Sequence, residues 1–389
     1  MGDIMEDFLL LDEELTEEER LIRDSVRQFA ERSVIPSMSQ AFEEAKFPAS
    51  LISQLADLGL LGVTLPQPYG GLGLNYISYG LVCQELERAD SSLRSFISVQ
   101  GSLCMFPIIA FGTESQKQQF LPKMAKGEYI GCFGLTEPDS GSDPSSMKTH
   151  ARKVEGGWIL NGTKMWITNA TIAHLAIVWV KTEEGVRGFI VEKSFQGFET
   201  QEIKHKMSLR ASNTGELIFK DCFVPESHYL PGSIVGLKAP LDCLTQARYG
   251  IAWGAVGAAM ACFEAALQYS KDRKQFGKSI ASFQLVQKDL CDMFLEIVKA
   301  QTVNLRIGKL KDQGKCTFSM VSFAKMNACK EALKIARMAR NLLGANGISL
   351  EYPVIRHMQN LEAVFTYEGT DNIHHLIIGK HITGFDAFH

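Results

Sequence analysis

The spacing of apolar residues changes twice along this chain, and those two changes constrain its architecture more than any other feature. Up to about residue 125 the spacing is helical, with Leu21, Ile22, Val26, Phe29 and Ala30 on one face. Thr16 and Glu19 form a capping-box pair that starts the first helix. "FPASLISQLADLGLLGV" predicts a second helix, entered at Pro48 and stopped at Gly59 and Gly62, before the loop "TLPQPYGGLGL". Helices over 76–88 and 92–111 follow. At Tyr129 the texture switches to short β-branched and aromatic runs such as "GWILNGTKMWITNA" and "LAIVWVKT", separated by turn residues. Asn161-Gly162 between two such runs predicts a hairpin turn. From about Ile234 the helical period returns, with long helices over 237–272, 282–312 and 319–343 and two shorter ones around Tyr352 and Ile373.

The fold class that follows is α+β and multi-layered. Residues 1–128 form an N-terminal helical domain, 129–233 a middle antiparallel β-sheet or barrel domain, and 234–389 a C-terminal four-helix bundle. A chain of 389 residues, 46% apolar and 22% charged, has ample material for such a core. "YGIAWGAVGAAMACF" imitates a membrane span, yet it is shorter than the roughly 20 residues a span needs. Its small residues fit a buried helix that approaches its neighbours closely, so no membrane insertion is expected.

Composition also excludes functions. The net charge is -4 and no basic block occurs, so nucleic acid is not an expected partner. The nine cysteines are scattered without a C-x-x-C pair, which reads as reduced thiols and argues against a metal site. The acidic start does not read as a targeting peptide, so a bacterial cytoplasm is expected, or a mitochondrial matrix for a trimmed chain. A nicotinamide enzyme needs G-x-G-x-x-G between strand and helix. Gly71-Leu72-Gly73 has Tyr76 where the third glycine belongs, and no strand precedes it. Gly344-Ala345-Asn346-Gly347 follows a helix and reads as a cap and turn.

Two stretches carry chemistry. The loop "FGLTEPDSGSDPSSM" gathers hydroxyls and amides after a strand, either as a ring- or phosphate-binding loop or as a surface turn. "TYEGTDN" sets Glu368 between an aromatic ring and a glycine in an apolar run. Glu368 is either a carboxylate facing a helix N-terminus or a base in a poorly hydrated pocket.

Six motifs in order, "FGLTEPDSGSD", "GTKMWITNA", "ARYGIAWG", "DRKQFGKSIASFQ", "LLGANGIS" and "TYEGTDN", resemble the acyl-CoA dehydrogenase family of flavoproteins from about Leu15 to Phe385. Within that family "ELERADSSLRSFISVQGSL", "KMSLRASNTGEL" and "NLEAVFTYEGT" are most similar to the decarboxylating glutaryl-CoA dehydrogenases. The resemblance implies FAD, glutaryl-CoA as substrate, electron-transferring flavoprotein as the reoxidant, and a homotetramer built as a dimer of dimers. It makes Glu368 the base for the α-proton and brings the backbone of Gly369 to the thioester carbonyl. It gives Arg94, with Ser95 and Ser98, the distal carboxylate. Ser142, Leu241 and Arg248 match CoA contacts. Phe133, Leu135, Thr136, Ser142, Trp166, Ile167, Thr168, Thr370 and Asn372 match flavin contacts. Arg273, Gln284, Asn341, Leu342, Leu343, Gly344 and Ala345 match positions that reach a neighbouring subunit's FAD. The rival expectations are a non-decarboxylating glutaryl-CoA dehydrogenase, a short-chain acyl-CoA dehydrogenase, and a non-catalytic flavoprotein scaffold.

Overall fold

The computed structural model describes residues 6–233 and 235–388. Ile234, where the last domain is expected to begin, lies outside the described residues. The N-terminal layer holds α1 (Glu17–Phe29), α2 (Ile35–Glu44), α3 (Leu51–Asp57), α4 (Tyr76–Ala89), α5 (Ser91–Ser98), α6 (Phe106–Phe111) and α7 (Glu114–Ala125). Thr16 closes both arms of its capping box on Glu19, at 2.7 and 3.2 Å. The helix expected over 92–111 is one path with a widened π segment at Val99–Met105. Pro107 stands in the first turn of α6, just after that segment, where the widened turn absorbs its missing N–H. α2 follows a similar π turn with Pro36 in its first turn, and the sequence pattern did not separate it.

The middle layer is a seven-stranded sheet built from β1 (Gly131–Gly134), β2 (His150–Val154), β3 (Gly157–Thr168), β4 (Leu175–Thr182), β5 (Gly185–Glu192), β6 (Phe198–Glu202) and β7 (Thr214–Pro225). The order is β1-β4-β2-β3-β7-β6, with β5 on β4. Most pairs are antiparallel, but β1 runs parallel to β4, and β2 meets β4 in parallel at His150 and Lys181. The hairpin expected at Asn161-Gly162 is a correction. The β2–β3 turn is at Glu155-Gly156, and Asn161-Gly162 lies inside β3 at a break in its register with β7. Gly162 takes φ 138° there, and the Asn161 side chain ties across to the backbone of Asp221 at 2.9 Å. Asn-Gly supplied a bulge because the same freedom at positive φ serves both.

The C-terminal layer holds α8 (Lys238–Asp272), α9 (Gln284–Asp312), α10 (Phe318–Leu342), α11 (Val354–Thr366) and α12 (Asp371–Thr383). Tyr352 precedes α11 rather than sitting in it. α8 and the run Ser91–Phe111 are both long and apolar enough to cross a membrane, yet 83% and 78% of their most apolar 18-residue windows is buried inside the protein. Both are core helices. α8 packs against α4 so closely that a Cβ on Gly254 would stand 2.1 Å from the Glu87 carboxylate. One on Gly257 would stand 2.0 Å from the Gln84 carbonyl.

The bulge has a measurable consequence. An alanine Cβ at Gly162 would stand 2.5 Å from Thr149 Oγ1 on a backbone held at positive φ. Gly162→Ala is expected to cost about 2 kcal/mol, read as a lower calorimetric melting temperature than wild type.

Candidate active site

α11 ends at Thr366, and Thr370 caps α12 by accepting from the Ile373 N–H at 3.4 Å. Between the two caps, three residues turn the chain. Glu368 has φ 53° and Gly369 φ 106°. A glutamate in the left-handed region is uncommon and costs roughly 1–3 kcal/mol unless its surroundings hold it. They do. Arg248 Nε donates to the Glu368 carbonyl at 2.6 Å, and Lys325 Nζ donates to the Gly369 and Phe365 carbonyls at 2.9 and 3.2 Å. Gly369 fits because a Cβ there would stand 3.0 Å from His374 Nε2 and 3.1 Å from Arg248 Nη2.

The Glu368 carboxylate sits in this enclosure with Oε2 buried and unpartnered among the described residues. Burial pushes its pKa up to about 7, against the opposing pull of Arg94, Arg248 and Lys325. Desolvation outweighs three cations because none of them gives the carboxylate a hydrogen bond. A carboxylate without donors, titrating near neutrality, suits a base. The helix-dipole alternative fails on position, since Thr370 is the cap of α12 and Glu368 lies outside it.

Arg94 is fully buried on α5, whose N-cap is Asp90. Its Nε donates to Glu87 on α4 at 2.5 Å, and its Nη2 donates to the Tyr367 hydroxyl. The guanidinium carbon lies 5.7 Å from the Tyr367 ring centre, so Arg94 reaches the residue next to Glu368. Among the described residues Nη1 has no protein acceptor. Ser95 and Ser98 are buried on the same helix, and the Ser98 hydroxyl is unpartnered among the described residues. Arg94, Arg248, Glu368 and Gly369 therefore share one enclosure, and Ser95 and Ser98 are buried on the helix that carries Arg94. Leu241 stands apart on the first turns of α8, with 39% of its surface exposed.

The flavin stretches are also brought together. The Met165 N–H donates to the Thr136 carbonyl at 2.8 Å, joining the loop of Phe133, Leu135 and Thr136 to the bulged end of β3. Trp166 takes φ 63° there and leaves 56% of its surface exposed, whereas Ile167 is buried and Thr168 half-buried. An exposed indole beside hydroxyls and a looped backbone suits a flat, hydrogen-bonding ring system such as a flavin. Ser142 is exposed on the same loop, and Asn372 is exposed beyond the half-buried Thr370. This loop is linked to the base through α11. Asn169 N–H donates to the Asn213 carbonyl, and after Ser208 the Leu209 N–H donates to Asn360 Oδ1 on α11, both at 2.9 Å.

The third group lies elsewhere. Arg273 follows α8, and Asn346, beside Asn341, Leu342, Leu343, Gly344 and Ala345, bonds to the hydroxyl of Tyr269 on α8 at 3.0 Å. Arg273, Gln284, Asn341, Gly344 and Ala345 are exposed, and no hydrogen bond joins them to the flavin loop among the described residues. Within one chain no ion pair ties these residues to the flavin loop among the described residues either.

Sequence reasoning missed Glu87, Lys325, His374, Lys164 and Glu137. Lys164 is fully buried, donating to Glu137 at 2.8 Å and to the Leu135 carbonyl at 3.0 Å, which fixes the start of the flavin loop. Lys325 had a signal available: it stands on α10 among Val321, Ala324, Ala328 and Ala332, where a lysine interrupts an otherwise apolar stripe.

Three family models cover this architecture: the N-terminal, middle and C-terminal domains of acyl-CoA dehydrogenase match residues 16–128, 132–222 and 235–383. The chain belongs to the acyl-CoA dehydrogenase family. It is similar to a glutaryl-CoA dehydrogenase from Mycobacterium smegmatis, with 51% identity and a TM-score of 0.95 over 96% of this chain and 97% of that one. A glutaryl-CoA dehydrogenase from the same organism in complex with FADH2 matches at 46% identity and TM-score 0.97, with both chains covered in full. The rat mitochondrial short-chain specific acyl-CoA dehydrogenase is 35% identical over 95% of this chain and 91% of its own length. FAD is the cofactor of this acyl-CoA dehydrogenase.

The raised pKa of Glu368 sets a pH dependence of stability. The folded pKa, about 7, stands above the ordinary 4.5, so the folded chain holds this proton to higher pH than the unfolded chain. Stability from this group is complete below about pH 4.5 and is lost as pH rises to about 7. Glu368→Gln removes the buried charge. It is expected to raise the melting temperature at pH 8 and to leave it nearly unchanged at pH 4.5, as read by calorimetry.

Proposed function

We propose that this acyl-CoA dehydrogenase oxidises and decarboxylates glutaryl-CoA to crotonyl-CoA and CO2, and passes its electrons to electron-transferring flavoprotein. The observation that carries the reading is Arg94. Glu87 takes the Nε of this buried guanidinium and Tyr367 its Nη2, and a plain short acyl chain leaves the remaining Nη1 without an acceptor. A substrate with a second carboxylate supplies that acceptor in a charge-assisted hydrogen bond. The two Mycobacterium smegmatis structures described above, both glutaryl-CoA dehydrogenases, support the same substrate.

In this reading the ionised Glu368 removes the α-proton. The Gly369 N–H donates to the thioester carbonyl and stabilises the developing enolate. Phe133, Leu135, Thr136, Ser142, Trp166, Ile167, Thr168, Thr370 and Asn372 would hold FAD, which would supply the acceptor for the β-hydride. Arg94, Ser95 and Ser98 hold the distal carboxylate, and Tyr367 shields the centre from water. Loss of CO2 from the oxidised acyl chain leaves a dienolate, and the protonated Glu368 returns its proton to give crotonyl-CoA. Leu241, Ser142 and Arg248 lie along the CoA arm. Arg273, Gln284 and Asn341–Ala345 are assigned to a neighbouring subunit's FAD in a homotetramer.

The test is anaerobic bleaching of the bound flavin by glutaryl-CoA and by butyryl-CoA, with the products identified. Glutaryl-CoA is expected to bleach faster and to yield crotonyl-CoA. Arg94→Ala is expected to lower kcat/KM for glutaryl-CoA about 10³-fold and that for butyryl-CoA less than about tenfold. A faster response to butyryl-CoA overturns the substrate, and glutaconyl-CoA as the end product overturns the decarboxylation.

A further inference from the structure

The loop that carries Glu368 is held from below by a residue with no part in the chemistry described so far. Lys325 is 1% exposed, in the middle of α10, and spends two of its three donors on main-chain carbonyls of the turn. One is Phe365, in the last turn of α11; the other is Gly369, immediately after the base. The two anchor points bracket Tyr367 and Glu368. Arg248 takes the intervening Glu368 carbonyl from the opposite helix. Three carbonyls within five residues thus accept from two cations. A buried ammonium is costly without such acceptors, so a methylene chain would suit this site better if packing were its only task.

We propose that Lys325 is a positioning residue for the reaction: its ammonium clamps the Phe365 and Gly369 carbonyls and so holds Glu368 and Gly369 in their left-handed conformations. The clamp aims the carboxylate and the Gly369 N–H at the same thioester. The inference rests on Glu368 being the base, and it assigns a second task to the lysine. Its charge is one of the few facing that carboxylate. Arg94 faces it from α5 with Glu87 behind, Arg248 from α8 and Lys325 from α10, with Tyr367 on its own loop, while His374 on α12 stands beside Gly369 and Asp371 acts on Lys325. Burial, aided by Lys325 and Arg248, pushes the His374 pKa down to about 3, so that ring is neutral at working pH and adds no charge. Burial lowers the Lys325 pKa as well, while the Glu368 charge opposes that shift.

The experiment compares Lys325→Met and Lys325→Gln holoenzymes with wild type and with Glu368→Gln. Lys325→Met is expected to lower kcat about 10²-fold, the scale of a misplaced reacting group, with KM within roughly threefold. Its rate should rise at higher pH than wild type, because a cation that favours the carboxylate is gone. Amide hydrogen exchange in residues 366–371 should accelerate. Lys325→Gln keeps a donor without the charge, so it should recover part of kcat and still show the shifted pH profile. Unchanged exchange together with wild-type kcat and pH profile in either folded variant overturns the clamp. If Glu368→Gln turns over like wild type, the base assignment falls, and the exchange result still decides whether Lys325 holds the turn.

Discussion

The architecture depends on how closely α8 can approach α4. Gly254 and Gly257 remove the side chains that would keep the helices apart, and the space is taken by the Glu87 carboxylate and the Gln84 carbonyl. Glu87, buried by that contact, pairs with Arg94 on the next helix, and Arg94 in turn meets the Tyr367 hydroxyl. A buried ion pair stabilises little by itself, because desolvating two charges consumes most of their attraction. Its effect is to fix where a cation stands. The same glycine-lined contact that builds the core therefore sets the distance between a guanidinium and the residue beside Glu368.

Around that contact the site is assembled from separate layers, each contributing one kind of group. α5 brings Arg94, α8 brings Arg248, α10 brings Lys325, and the turn between α11 and α12 brings Glu368. The sheet adds the exposed indole of Trp166 and the Thr136 loop, tied to α11 through Asn213, Leu209 and Asn360. The arrangement places cations around the base without letting any of them hydrogen-bond its carboxylate. A direct partner would lower the pKa and quench the base; charges held on backbone carbonyls moderate the desolvation instead.

Much of this was legible in the residues. Helical spacing, β-branched runs and the capping pair at Thr16 and Glu19 marked the three layers. The six ordered motifs pointed to the family, to FAD and to Glu368. One signal misled. Asn161-Gly162 reported only that positive φ was available, and β3 used it for a bulge rather than a turn. Local preference names a permitted conformation, and pairing with distant strands or helices selects among the uses of it.

The sequence by itself determined the order of the layers, the small-residue face of α8 and the residue types needed for proton abstraction beside a flavin, because these depend on spacing and side-chain chemistry. Only the tertiary structure decided that the Glu368 carboxylate is left without a hydrogen-bond partner among the described residues, that Arg94 leans on Glu87 and Tyr367, and that Lys325 reaches the carbonyl after the base. Those facts join residues up to 273 positions apart. A pKa is set by the dielectric and the charges around a group, and neither exists until the layers have closed over it.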